Sequence, residues 1–98
     1  MSDVQTPGAF DDLKDLVLQV LIKRANSNKK ISIPFIEAFM EACIIQNSKR
    51  HIVEKEANPM IRNQLLDNLL KNGYVILNPQ EGEAVFLTQK AIDKFYSK

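Results

Sequence analysis

The sequence predicts a mainly α domain carrying a small β-hairpin, an α+β fold, on three observations. In "NPMIRNQLLDNLLKNGYVIL", residues 58–77, the apolar period changes from four to two at Gly73, the mark of a helix that stops and becomes a strand. The β-rich runs "YVIL" and "AVFLT" enclose "NPQEGE", a segment of turn formers, and so read as two strands of a hairpin. Apolar residues elsewhere recur at helical spacing in long segments. With 98 residues, 45% of them hydrophobic and 26% charged, the chain is large enough for one core and too apolar for a disordered polymer.

Residues 1–8 read as a flexible leader, and residues 9–98 as a single domain. From Ala9 to Ala25, Leu13, Leu16, Val17, Val20 and Leu21 form one stripe, with Asp11 and Asp12 in the first turn and Lys23 and Arg24 in the last, complementing the helix dipole. Phe10, Leu18 and Ile22 form a second apolar flank on this helix, which points to contact with another helix or a second chain, and a dimer using this flank with help from the second or the last helix is expected. "KISI" is a brief β-branched strand, and Pro34 suits the first turn of a second helix running to about Gln46. That helix is apolar nearly all round. Ile36, Phe39, Met40, Cys43 and Ile44 are expected on its inner side, and Glu37 and Glu41 are its main polar residues.

Residues 47–57, "NSKRHIVEKEA", fit either a loop or an extension of the second helix. Asn58 is then a cap and Pro59 a first helical residue, after which Ile61, Leu65 and Leu69 repeat every four positions with Leu66 and Leu70 beside them. Gly73 permits the left-handed conformation of a helix stop. After the hairpin, Thr88 caps a last helix bearing Ala91, Ile92, Phe95 and Tyr96.

The order α1-β1-α2-α3-β2-wing-β3-α4 resembles the winged helix-turn-helix family. "LLDNLLKNGYVIL" is similar to the family's join between third helix and first wing strand, and "VFLTQKAIDKFY" to the end of the second wing strand and the final helix. The resemblance covers about residues 10–96. It implies a sequence-specific DNA-binding protein, a small homodimeric transcriptional regulator whose third helix enters the major groove of double-stranded DNA. By matching position, Met60, Arg62, Asn63, Gln64 and Asp67 face outward near the start and middle of that helix. Arg suits guanine, and Asn or Gln suits adenine. Lys49, Arg50, Lys55 and Asn58, beside or before the helix, complete the expected DNA-binding set, the basic residues meeting phosphates.

Two features depart from the family pattern. The wing carries Glu81 and Glu83 and no Lys or Arg, so phosphate should repel it. The segment joining the second and third helices is longer than the usual short turn. The net charge of only +1, from 13 basic and 12 acidic residues, gives no bulk argument for nucleic acid. The alternative reading is therefore a winged-helix protein-protein interaction module, with a protein partner in place of DNA.

Enzymatic chemistry finds little support. His51 is the only histidine, set among Lys49 and Arg50, and Cys43, the only cysteine, sits in an apolar stretch where a buried, unreactive thiol is the ordinary outcome. The three glycines are too scattered for a phosphate-binding loop. Glu37 and Glu41 have no His or further acid placed to complete a metal site, so neither metal nor other cofactor is expected. No apolar run approaches the ~20 residues that span a bilayer, and "MSDVQTPGAFDD" is unlike a signal peptide, so the expected location is cytoplasmic, away from membranes.

Overall fold

A computed structural model describes residues 9–49 and 59–96. The elements run α1 (Ala9–Ala25), β1 (Ile33–Pro34), α2 (Phe35–Lys49), α3 (Pro59–Lys71), β2 (Val75–Leu77), β3 (Ala84–Leu87) and α4 (Gln89–Tyr96). The chain is thus mainly helical with one small antiparallel sheet of three strands, ordered β1-β3-β2. Residues 1–8, expected to be a leader, lie outside the described residues.

The strand expected at residues 30–33 is shorter and later. Ile33 pairs with Val85 and Pro34 with Ala84, so Pro34 ends a strand instead of opening a helix. An edge position tolerates this residue, because the missing N–H can face away from the sheet. The Phe35 amide donates to the Glu83 carbonyl at 2.8 Å, which ties the start of α2 to the hairpin loop. At its other end α2 continues through Lys49, so residues 47–49 of the undecided segment are helical.

One core joins all the layers. Leu13, Leu16, Val17, Val20 and Leu21 of α1 are all buried, as their spacing predicts. They meet Phe35 and Phe39 of α2, whose rings lie 6.4 Å apart, Leu65 and Leu69 of α3, and Ala91 of α4. The sheet contributes Ile33, Val75, Val85 and Leu87, which its register places on one face. Complete burial of a leucine is worth about 1.5–3 kcal/mol. Leu65 and Leu69, both at 0% exposure, therefore outweigh any surface contact in setting which way α3 faces.

α2 is turned differently from the sequence expectation. Its inner side is Phe35, Ala38, Phe39 and Ala42, while Ile36, Met40 and Ile44 are exposed and Cys43 is half-buried. Ala38 and Ala42 of α2 and Ala25 of α1 are all fully buried, as are the two rings. A helix with apolar residues on every side leaves its orientation to such steric detail.

α1 and α3 both stop in the left-handed region. At the end of α3 the Gly73 amide donates to Leu70 and the Tyr74 amide to Leu69, the paired bonds of a Schellman stop, with Gly73 at φ 76°. α1 ends on the same pair of bonds, Asn26 to Lys23 and Ser27 to Ile22, but there Asn26 and Ser27 adopt φ of 54° and 59° without being glycines. The Ser27 hydroxyl is 2.8 Å from the Tyr96 hydroxyl, a hydrogen bond that holds this turn against α4.

Thr88 locks the join. Its Oγ1 donates to the Gly73 carbonyl at 2.6 Å and accepts from the Ala91 amide at 3.3 Å, so one hydroxyl ties the α3 stop to the start of α4. A Cβ added at Gly73 would approach only the Lys90 Cδ, at 3.8 Å, an ordinary contact. Gly73→Val is therefore expected to lose on the order of 1–2 kcal/mol through backbone strain alone. Thr88→Ala is expected to lose about 1–2 kcal/mol through the missing cap. Urea unfolding of the two variants and the unsubstituted chain measures both, and an unchanged midpoint for either would refute the corresponding mechanism.

Candidate functional site

The outward face of α3 is built from its inward one. Residues three, four and seven apart share a helix face, so burial of Leu65 and Leu69 turns Met60, Asn63, Gln64, Asp67 and Lys71 to solvent. Asn63 and Gln64 are adjacent, exposed and engaged by no other described residue. Arg62 departs from its expected place. It lies seven residues before Leu69, near the inward side, and is only partly exposed, so it does not stand at the centre of the outward face. That centre is held by Asp67, paired with Lys71 at 3.1 Å.

The basic residues expected beside α3 are only partly in view. Lys49 is the last residue of α2, and nothing further is described of its side chain; Arg50, His51, Lys55 and Asn58 lie outside the described residues. Positive charge that sequence reading did not single out gathers at the other end of α3. The Lys90 Nζ donates to the Asn72 carbonyl at 2.7 Å, and the Nζ atoms of Lys90 and Lys94 lie 5.3 Å and 5.8 Å from the centre of the Tyr74 ring. Cations there complement the negative end of the helix dipole and the face of the aromatic ring. Their separation from Tyr74 along the sequence hid the grouping.

The hairpin loop, residues 78–83, is acidic and anchored. Glu81 Oε1 accepts from the Ser32 hydroxyl at 2.9 Å, and the Asn78 side-chain amide donates to the Ser32 oxygen at 3.0 Å. Asn78 Oδ1 also accepts from the Gln80 amide at 2.9 Å, a side-chain-supported turn. Glu81 is thereby drawn toward the start of β1, whereas Glu83 is exposed at φ 62° with its carbonyl bound to Phe35.

Leu18 and Ile22 require a correction. Expected at a dimer contact, they are 4% and 3% exposed and belong to the chain's own core, while Phe10 packs partly buried against that core. The second flank of α1 is covered within the molecule, because α1 crosses the sheet and α4 as well as α2. Apolar surface is exposed instead on α2, at Ile36, Met40 and Ile44, and on β2, at Ile76 and Leu77.

Glu37 and Glu41 bind α1. Arg24 Nη1 donates to Glu37 at 3.0 Å, and Nε and Nη2 donate to Glu41 Oε1 at 3.0 and 2.8 Å. The Glu41 hydrogen bonds, more than those to Glu37, hold the Arg24 guanidinium above its ordinary pKa, against a smaller desolvation effect. These side chains are about a third or more exposed, so the clamp contributes at most ~1 kcal/mol per pair and mainly sets the mutual rotation of α1 and α2.

Among the described residues, no group of three or more His, Cys, Asp or Glu is placed to hold a metal ion. No helix there is long and apolar enough to cross a membrane. A shallow depression of about 380 Å³ between α1 and α4 is lined by Gln19, Lys23, Asn26, Ser27 and the two aromatic rings of α4, and brings no nucleophile to a base. No family model, curated protein or solved structure matches this chain.

Partial burial pushes the Cys43 thiol above its ordinary pKa. Because the folded-state value is the higher one, the stability associated with the neutral thiol is intact below about pH 9 and is lost as pH rises through the folded value. Iodoacetamide at pH 8 is accordingly expected to alkylate Cys43 several-fold more slowly in the folded chain than in urea. Equal rates, followed by mass spectrometry, would show an unprotected thiolate.

Proposed function

We propose that this chain is a winged-helix DNA-binding protein, a homodimeric transcriptional regulator of the cytoplasm that presents α3 to the major groove. In this reading α2 and α3 are the helix pair and the β2–β3 hairpin is the wing. The observation that carries it is the placing of two adjacent exposed amides, Asn63 and Gln64, on a helix whose opposite side is fixed by fully buried Leu65 and Leu69. Such amides pair with the N6 and N7 edge of adenine. Lys49, Arg50 and Lys55, which precede α3 in the sequence, supply phosphate contacts, and Arg62 adds charge from its flank.

The acidic wing belongs to a mode of binding in which the wing stays off the duplex. Glu81 and Glu83 near phosphate would oppose binding, and the ties of Glu81 to Ser32 favour a wing held back toward β1. A second reading, a protein-protein interaction module, is favoured by Asp67 at the centre of the α3 face and by the apolar residues exposed on α2.

Gel-shift titration separates the two readings. Retardation of mixed duplex DNA at low salt is expected by tens of micromolar, in line with the roughly 10⁻⁴ to 10⁻⁶ M of non-specific binders. On a selected site, Asn63→Ala or Gln64→Ala is expected to weaken binding by about 1–3 kcal/mol, and Asp67→Asn to strengthen binding to every sequence. Lys49→Ala and Arg50→Ala are expected to lower affinity without regard to sequence, each reducing the salt slope by roughly 0.9. A chain that shifts no DNA under these conditions belongs to the second reading.

A further inference from the structure

The stop that ends α3 sets an asparagine directly before its glycine. Gly73 is the one glycine in the sequence preceded by asparagine, and Asn72 is exposed to water at the end of the helix. Such a pair is chemically labile. With no side chain on the second residue, its amide nitrogen reaches the asparagine Cγ with little hindrance and can close a five-membered ring. We propose that Asn72 is a deamidation site held shut by the fold, one that reacts only when the end of α3 opens.

The native contacts hold the reacting groups apart. Asn72 Nδ2 donates to the Asn68 carbonyl and to Asn68 Oδ1, both at 2.9 Å, so the side chain is folded back along α3, away from Gly73. The Gly73 amide, which is the nucleophile of the reaction, donates to the Leu70 carbonyl at 3.1 Å. Its proton is therefore engaged. Lys90 Nζ donates to the Asn72 carbonyl at 2.7 Å and the Thr88 hydroxyl to the Gly73 carbonyl at 2.6 Å, which ties the peptide planes on both sides of Gly73 to Thr88 and α4. Attack on Cγ requires the first of these planes to swing about the Asn72 Cα–C bond. That movement breaks the Leu70 and Lys90 bonds together.

Once the stop opens, hydroxide removes the Gly73 amide proton, the nitrogen bonds to Asn72 Cγ, and Nδ2 takes up a proton and leaves as ammonia. Water then adds to either carbonyl of the succinimide. Cleavage of the Cγ–N bond gives aspartate, whereas cleavage of the backbone C–N bond gives isoaspartate; water is consumed, ammonia is released and no electrons are transferred. Neither product suits the stop. Aspartate loses both bonds to Asn68 and sets a carboxylate at the negative end of the α3 dipole, and isoaspartate lengthens the backbone between Leu70 and Gly73, whose paired amide bonds need the normal spacing. Opening of α3 thereby becomes irreversible.

Peptide mapping by mass spectrometry reads the reaction. Trypsin releases residues 72–90, in which Asn78 precedes Pro79 and so meets no amide nitrogen able to attack, leaving Asn72 as the fast-reacting amide. At pH 8 the folded chain is expected to deamidate more than about tenfold slower than the chain in guanidinium chloride, because the folded rate is the unfolded rate multiplied by the open fraction. Asn68→Ala, which frees part of the Asn72 side chain, and Thr88→Ala, which loosens the join, are each expected to raise the folded rate several-fold and leave the denatured rate unchanged. Asn72→Gln, one carbon too long for the five-membered ring, is expected to stay intact in both states. Equal rates in the folded and denatured chain overturn the proposal, as does a folded rate that neither Asn68→Ala nor Thr88→Ala raises. A mass change that persists in Asn72→Gln places the reaction at another amide and overturns it too.

Discussion

The left-handed turn at Gly73 is the constraint on which the rest of the arrangement depends. α3 must end there, because the Gly73 and Tyr74 amides are used by Leu70 and Leu69, and the chain then enters β2. The same turn receives the far side of the hairpin: the Thr88 amide donates to the Tyr74 carbonyl at 3.1 Å and its hydroxyl to the Gly73 carbonyl. One short segment thus fixes the end of α3, both strands of the hairpin and the start of α4. Without it, the burial of Leu65 and Leu69 could not be combined with that of Val75 and Leu87 in one core.

The α1–α2 pair depends on a second, steric constraint. Ala25, Ala38 and Ala42 are fully buried and leave no room for a larger residue, and the Arg24 clamp joins α1 to α2 from the neighbouring position. Close packing there leaves Ile36, Met40 and Ile44 facing solvent, although each is as apolar as the residues buried opposite. The inner side takes the two small residues Ala38 and Ala42 together with the two largest buried rings, Phe35 and Phe39, so the outer row is left outside by fit and not by polarity.

The buried side of α3 sets what its outer face presents. Two buried leucines determine the outward set, so Asn63, Gln64 and Asp67 are presented together and Arg62 is drawn aside. The charge on this face is therefore close to balanced, Asp67 being paired with Lys71, while further lysines sit around Tyr74. The polar character of this face comes from the amides of Asn63 and Gln64 more than from net charge, and the described cations Lys90 and Lys94 gather beyond the C-terminal end of α3.

By itself the sequence determined the elements whose signal is local. Regular apolar spacing made α1 and α3 legible, and a glycine at the period change, turn residues in the hairpin and a capping threonine located the rest. It also determined the exposed amides of α3, since a clean stripe has only one opposite side. Tertiary structure alone decided the rotation of α2, the burial of Leu18 and Ile22, the partial retreat of Arg62 and the pairing of Pro34 with Ala84. The physical reason is the same in each case. Where a segment offers apolar residues on several sides, or a flank position half in and half out, periodicity is degenerate, and the choice falls to close packing with elements distant in the chain.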